Sequence, residues 1–225
     1  MKKLQILLSF IVATTLLQQI QAQTKSSQAT PNIVLIFMDD MGYGDPEVYG
    51  GFPYHTPNIN KLAASGMRFT NFYAAQAVCS ASRAALLTGC YPNRVGISGA
   101  LMPWSTVALN PKEETIASIV KTKGYATGMI GKWHLGAKAP YLPTSYGFDE
   151  YLGLPYSNDM WPVGFDGITI TDTANKKSKY PPLQLLEGFN PVMPINNLED
   201  QSKLTTIYTE RAVKFISSNK NKPFF

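Results

Sequence analysis

Asn32-Ile33-Val34-Leu35-Ile36-Phe37-Met38-Asp39-Asp40 carries an unbroken apolar run, rich in branched side chains, that stops on two carboxylates. Continuous rather than alternating hydrophobicity reads as a strand buried on both faces, the habit of a parallel sheet between helices. The expected fold class is therefore α/β. In open α/β sheets ligands gather beyond the carboxyl ends of the strands, where Asp39 and Asp40 stand. Adjacent carboxylates repel unless something positive lies between them. A hard divalent cation with oxygen ligands, Ca²⁺ or Mg²⁺, is the simplest partner. The bland alternative is a solvated loop start. Gly42 and Gly44 then permit a tight turn.

Working outward, Val78-Cys79-Ser80-Ala81-Ser82-Arg83-Ala84-Ala85-Leu86-Leu87-Thr88-Gly89 places a thiol just ahead of an expected helix over 82–89, with an arginine four residues later. Ser80 or Ser82 is positioned to cap that helix. A helix start offers free N–H groups and partial positive charge, which favour sulfate or phosphate. Arg83 adds a planar, permanently charged fork for the same anion. The alternative is a small buried thiol beside a capping serine.

The third stretch, Tyr125-Ala126-Thr127-Gly128-Met129-Ile130-Gly131, reads as another buried strand, followed at once by Lys132-Trp133-His134. Side-chain alternation along an extended backbone would set Lys132 and His134 on one side, a cationic and proton-handling pair. The alternative is a solvated lysine and a loop histidine.

These three stretches together resemble the sulfatase family. The pattern C-x-P-S-R-x-x-L-L-T-G is matched at Cys79, Ser82, Arg83, Leu86, Leu87, Thr88 and Gly89, with Ala81 where the family has proline. The run N-I-V-L-I-F-M-D-D-M-G-Y-G-D resembles the family's opening, and G-Y-A-T-G-M-I-G-K-W-H-L-G its second signature. The resemblance covers 32–225 and implies the N-terminal part of a sulfatase catalytic domain. The implied fold is α/β and related to alkaline phosphatase, a mixed sheet sandwiched by helices. It further implies that Cys79 is oxidised to Cα-formylglycine by a maturation enzyme, and that Asp39, Asp40 and residue 79 bind Ca²⁺ rather than Mg²⁺. Arg83 would hold the formylglycine hydrate and Lys132 would neutralise sulfate oxygens. His134 would orient the hydroxyl or take its proton. The implied substrate is a sulfate ester, sulfated carbohydrates among the candidates. Two alternatives stand beside this reading. One is a non-catalytic sulfated-carbohydrate binder in which Cys79 stays a thiol. The other is a phosphoryl-transfer relative, which the chain's two histidines disfavour as a two-zinc centre.

Composition sets wider bounds. At 225 residues and 44% hydrophobic, the chain is globular in character rather than disordered. Formal charge is +5, and loss of Lys2 and Lys3 with a leader gives 5 − 2 = +3. No basic block stands out, which argues against nucleic acid. Met1 to Ala22 reads as a secretory signal, with a positive start, an apolar run and a small residue at the cut. Residues 23–31 read as a linker. The run is short for a membrane span, so the expected location is periplasmic or extracellular, with no span in the mature chain. Cys79 and Cys90 are the only cysteines. An intervening helix would hold them roughly 12–16 Å apart, beyond disulfide reach.

The remaining segments are read as follows. Residues 56–66 form a helix with Thr56 as cap and Gly66 as stop, and 67–73 a strand. Residues 112–122 and 205–218 form amphipathic helices. Residues 136–198, rich in Pro, Gly and aromatics, supply active-site loops that include 146–153. Asn158 and Asp159 stay unassigned, and Lys176, Lys177 and Lys179 read as a solvated basic turn. Lys222–Phe225 opens a further strand, which reads as a chain cut short.

Overall fold

The computed structural model describes residues 30–51 and 54–225, of which Asn32–Phe225 form one unit. The expected leader and most of the linker lie outside the described residues. Four strands make the named sheet: β1 Gly128–Ile130, β2 Glu150–Gly153, β3 Leu183–Glu187 and β4 Asn190–Ile195, in that spatial order. β1 and β2 run parallel, whereas β2–β3 and β3–β4 are antiparallel, so the sheet is mixed. Beyond β1 the ladder continues. Ala126 N–H donates to the Pro223 carbonyl, and Phe225 N–H to the Ala126 carbonyl, so of the strand expected over Lys222–Phe225 an isolated parallel bridge between Phe224 and Ala126 is formed.

Five helices accompany the sheet among the described residues: α1 Pro57–Ser65, α2 Cys79–Thr88, α3 Ile116–Lys121, α4 Leu198–Ser202 and α5 Leu204–Asn219. α2 and α3 supply Ala81, Ala84 and Ala117 to a core with Trp133, Leu135, Tyr146, Phe148 and Tyr151, against which Met129 of β1 packs. α5 covers the other side of β1. A Cβ at Gly128 would lie 2.9 Å from the Phe215 ring. Helices thus lie on both faces of β1. Gly153 shows why β2 needs glycine: a Cβ there would sit 1.8 Å from the Gly131 carbonyl oxygen.

Several expectations are corrected. Ile33–Met38 is extended but is not a doubly buried strand, and Ile36 is 71% exposed. Ile33 N–H donates to the Phe224 carbonyl at 2.8 Å, and among the described residues the rest of the run makes no backbone–backbone hydrogen bond. Residues 67–73 are likewise not a strand, and Met67, Phe69, Phe72 and Tyr73 stay exposed without a sheet neighbour. Thr56 precedes α1 but does not cap it, since its hydroxyl accepts from Glu47 N–H. α3 starts four residues later than expected, at a capping box in which Thr115 and Ser118 bond reciprocally. The 146–153 segment is core rather than loop, with Tyr146, Phe148, Tyr151 and Leu152 buried. β3 and β4 also occupy a region read as loop, and they build a second core with Leu154, Trp161 and Leu204.

Candidate active site

The site is assembled where three chain segments converge: the end of the Ile33–Met38 run, the start of α2, and the turn after β1. Asp39 is its centre. Its carboxylate accepts a hydrogen bond from Lys132 Nζ and faces Arg83 Nη2 at 3.6 Å. Lys132 Nζ also donates to Ser157 Oγ at 3.1 Å. Arg83 Nη1 donates to the Lys132 carbonyl at 2.6 Å, and its guanidinium lies over the Phe37 ring. Two cations therefore share one acid, and both basic side chains are only 10% exposed against 35% for Asp39. Burial alone would raise the Asp39 pKa, but Lys132 and then Arg83 outweigh it and hold the carboxyl below its usual range. Burial pulls the Arg83 pKa down, opposed by Asp39 and Cys79, and the guanidinium remains a cation.

Cys79 is the first residue of α2, one turn before Arg83 on the same helix. The N-cap is Val78, with no side-chain cap, which corrects the expectation for Ser80 and Ser82. Ser80 is turned inward instead, its hydroxyl accepting from Leu101 N–H at 3.0 Å. The first intrahelical bond runs from Ser82 N–H to the Val78 carbonyl, so the N–H groups at the front of α2 are free of helical partners. Cys79 and Cys90 are both unpaired thiols.

Lys132 and His134 join the cluster by a turn, not by strand alternation. β1 ends at Ile130, Gly131 has φ 114°, and His134 has φ 63°. His134 Nε2 lies 2.8 Å from the Leu101 carbonyl, which can only accept, so Nε2 carries the proton. Nδ1 is then a buried lone pair, with no hydrogen-bond partner among the described residues. Burial, helped by the charges of Lys132 and Arg83, pulls the His134 pKa down to about 4, so the ring is neutral at pH 7. Asp40, the other non-glycine residue in the left-handed region at φ 55°, makes no ion pair or hydrogen bond among the described residues.

Ser157 was not legible as a site residue. It lies in an irregular stretch, and its only early signal is proximity to Asn158 and Asp159. Asn158 instead bonds Gln201, and the Asp159 carbonyl accepts from Lys177. As a calcium centre the cluster is unfinished. Ca²⁺ takes about six to eight oxygens, no group of three His, Cys, Asp or Glu gathers among the described residues, and Asp39 is turned onto Lys132 and Arg83.

The sulfatase family profile matches residues 31–225, and the chain belongs to that family. Arylsulfatase G of Mus musculus is 39% identical over 230 residues, covering 91% of this chain and 41% of its own. The crystal structure of PsFucS1 sulfatase from Pseudoalteromonas sp. superposes with TM-score 0.76 at 35% identity, covering 95% of this chain and 45% of its own. The structure of BT4656 in complex with its substrate, D-glucosamine-2-N,6-O-disulfate, gives TM-score 0.62 at 27% identity, covering 86% of this chain and 33% of its own. The chain thus spans less than half the length of these relatives. No helix among the described residues is long and apolar enough to cross a membrane.

Proposed function

We propose that this chain carries the anion-binding half of a sulfuric ester hydrolase of the arylsulfatase type, acting on a sulfated carbohydrate. The observation that supports it most is the meeting of Arg83 and Lys132 around Asp39 at the front of α2, where Cys79 stands. One acid and two cations leave a surplus positive charge, and free helix N–H groups add to it. A tetrahedral monoanion such as a sulfate ester group is the matching ligand. The Cα-formylglycine that a maturation enzyme would make from Cys79 supplies, once hydrated, the oxygen nucleophile for sulfur. Arg83, clamped by the Lys132 carbonyl, holds charge next to residue 79. Lys132, steered by Ser157, meets sulfate oxygens as charge moves to the leaving group. His134 offers Nδ1 as a neutral acceptor for a proton.

Asp39 and Asp40 are the residues through which Ca²⁺ would enter, in exchange for the Lys132 contact. Two carboxylates give a weak site on their own, and no step is routed through it. The leader reading of Met1 to Ala22 supports export to the periplasm or the exterior.

The test is mass spectrometry of the Cys79 peptide after co-expression with a formylglycine-generating enzyme, paired with hydrolysis of a chromogenic aryl sulfate. Aldehyde at position 79, sulfate binding that Lys132→Ala weakens, and little or no turnover by this chain alone are the expected results. A second reading, a sulfated-carbohydrate binder, is favoured by Ala81 in place of the family's proline. An unconverted thiol together with retained sulfate binding would select it.

A further inference from the structure

The hydrogen bonds that fix His134 and Ser80 both end on one residue, Leu101, whose carbonyl accepts from the imidazole and whose N–H donates to the serine. The chain leaves Leu101 through a tight turn in which Ser105 N–H donates to the Met102 carbonyl at 2.9 Å, with Pro103 and Trp104 at its two corners. Trp104 follows Leu101 by three residues, so its Cα lies within roughly 11 Å of that clamp. Its indole stacks on Tyr180, centroids 5.3 Å apart and planes 24° apart, yet stays 50% exposed. The other two tryptophans, Trp133 and Trp161, are buried in the cores at 1% and 3%. An indole stacked on one side and left half open, three residues from the backbone that clamps His134, is a surface for a flat apolar face.

Tyr180 ends the basic turn Lys176–Lys179. Lys177 anchors that turn, donating to the Asp159 and Val163 carbonyls at 3.1 Å each and lying over the Phe165 ring. Lys176 and Lys179 are exposed and have no ion-pair partner among the described residues. The platform therefore has cations next to it that nothing in the described chain neutralises.

We propose that Trp104 and Tyr180, flanked by Lys176 and Lys179, form a saccharide subsite. The indole stacks the C–H face of a pyranose ring, and the two lysines meet a further sulfate on the same oligosaccharide. This rests on the sulfated-carbohydrate reading of the neighbouring centre and adds a ring-binding position to it. Ring C–H groups carry partial positive charge and suit the negative face of an indole, whereas sulfate suits the ammonium groups.

The experiment titrates the full chain with a sulfated heparin tetrasaccharide, its desulfated counterpart and inorganic sulfate, following acrylamide quenching of tryptophan fluorescence and binding heat. With Trp133 and Trp161 buried, the quenchable signal belongs to Trp104. The sulfated tetrasaccharide is expected to shield Trp104, and inorganic sulfate is not. Trp104→Ala is expected to weaken tetrasaccharide binding about threefold to tenfold, the scale of one aromatic contact. Lys176→Ala with Lys179→Ala is expected to weaken it and flatten its salt dependence. Tetrasaccharide binding that leaves Trp104 quenchable and is unchanged in Trp104→Ala overturns the subsite but leaves the sulfated-carbohydrate reading standing. Equal binding of the desulfated sugar overturns the role of the lysines. No saccharide binding to the wild-type chain overturns both readings. Shielding that grows with protein concentration alone assigns the platform to a contact between copies.

Discussion

Replacing Asp39 with asparagine removes the one acid that two nearly buried cations share. Breaking a buried pair by deleting one partner costs about 3–5 kcal/mol, while an exposed pair is worth about 0–1 kcal/mol. Asp39 lies between these limits, with its side chain 35% exposed and its partners 10% exposed. The expected loss is about 2 kcal/mol, or roughly 4–8 °C in Tm for a domain of this size. The pH dependence carries a sign. The folded-state pKa of Asp39 is lowered. Its contribution is therefore full above the unfolded carboxylate pKa and disappears as pH falls through the folded value. Urea melts of wild type and Asp39→Asn between pH 7 and pH 3 should converge as the pH drops. Asp149 and Glu47 titrate in both proteins, so the difference curve isolates Asp39. Lys132→Met supplies a cycle: the double variant should be more stable than the sum of the two single losses allows, by about 1–2 kcal/mol. Parallel pH curves, with the two variants additive, would refute the shared-acid account of this cluster.

Three further outcomes are expected. His134 should stay neutral by NMR down to about pH 5. Because its folded pKa is lowered to about 4, its stabilising contribution is present above the unfolded value and is lost as pH falls from about 6.5 toward 4. A histidine shift titrating near 6.5 and assigned to His134 would refute its burial. Ala81→Pro should fold, since the Ala81 N–H precedes the first intrahelical bond, and it should raise the fraction of Cys79 converted. Equal conversion in both chains would show that Ala81 does not matter. Ca²⁺ should bind weakly by calorimetry, and Lys132→Met should tighten it by freeing Asp39. Weaker binding in that variant would contradict the exchange between lysine and cation.

The α/β class and the three segments of the candidate site were legible as local chemistry: acids at the end of an apolar run, a thiol that proves to open a helix rather than precede it, a basic pair after a strand. What escaped was decided by distant partners. Ile33–Met38 has strand composition, but among the described residues only Ile33 makes a backbone hydrogen bond to a neighbouring segment. Tyr146, Phe148 and Tyr151 sit among Gly and Pro and look like loop, yet they fill the first core. Lys132 and His134 do reach one cluster, by way of the backbone turn at Gly131 and His134 that alternation along a strand does not describe. Ser157 has no signal beyond its neighbours Asn158 and Asp159, and its contact with Lys132 is what marks it.

The open flank at Val34 to Met38 has a practical side. Amide donors and acceptors on consecutive greasy residues, facing water, act as a template onto which any extended peptide can zip. Concentrated solutions of this chain should therefore thicken into β-rich assemblies unless something covers that border, and a lysine at Ile36 is the cheapest deterrent.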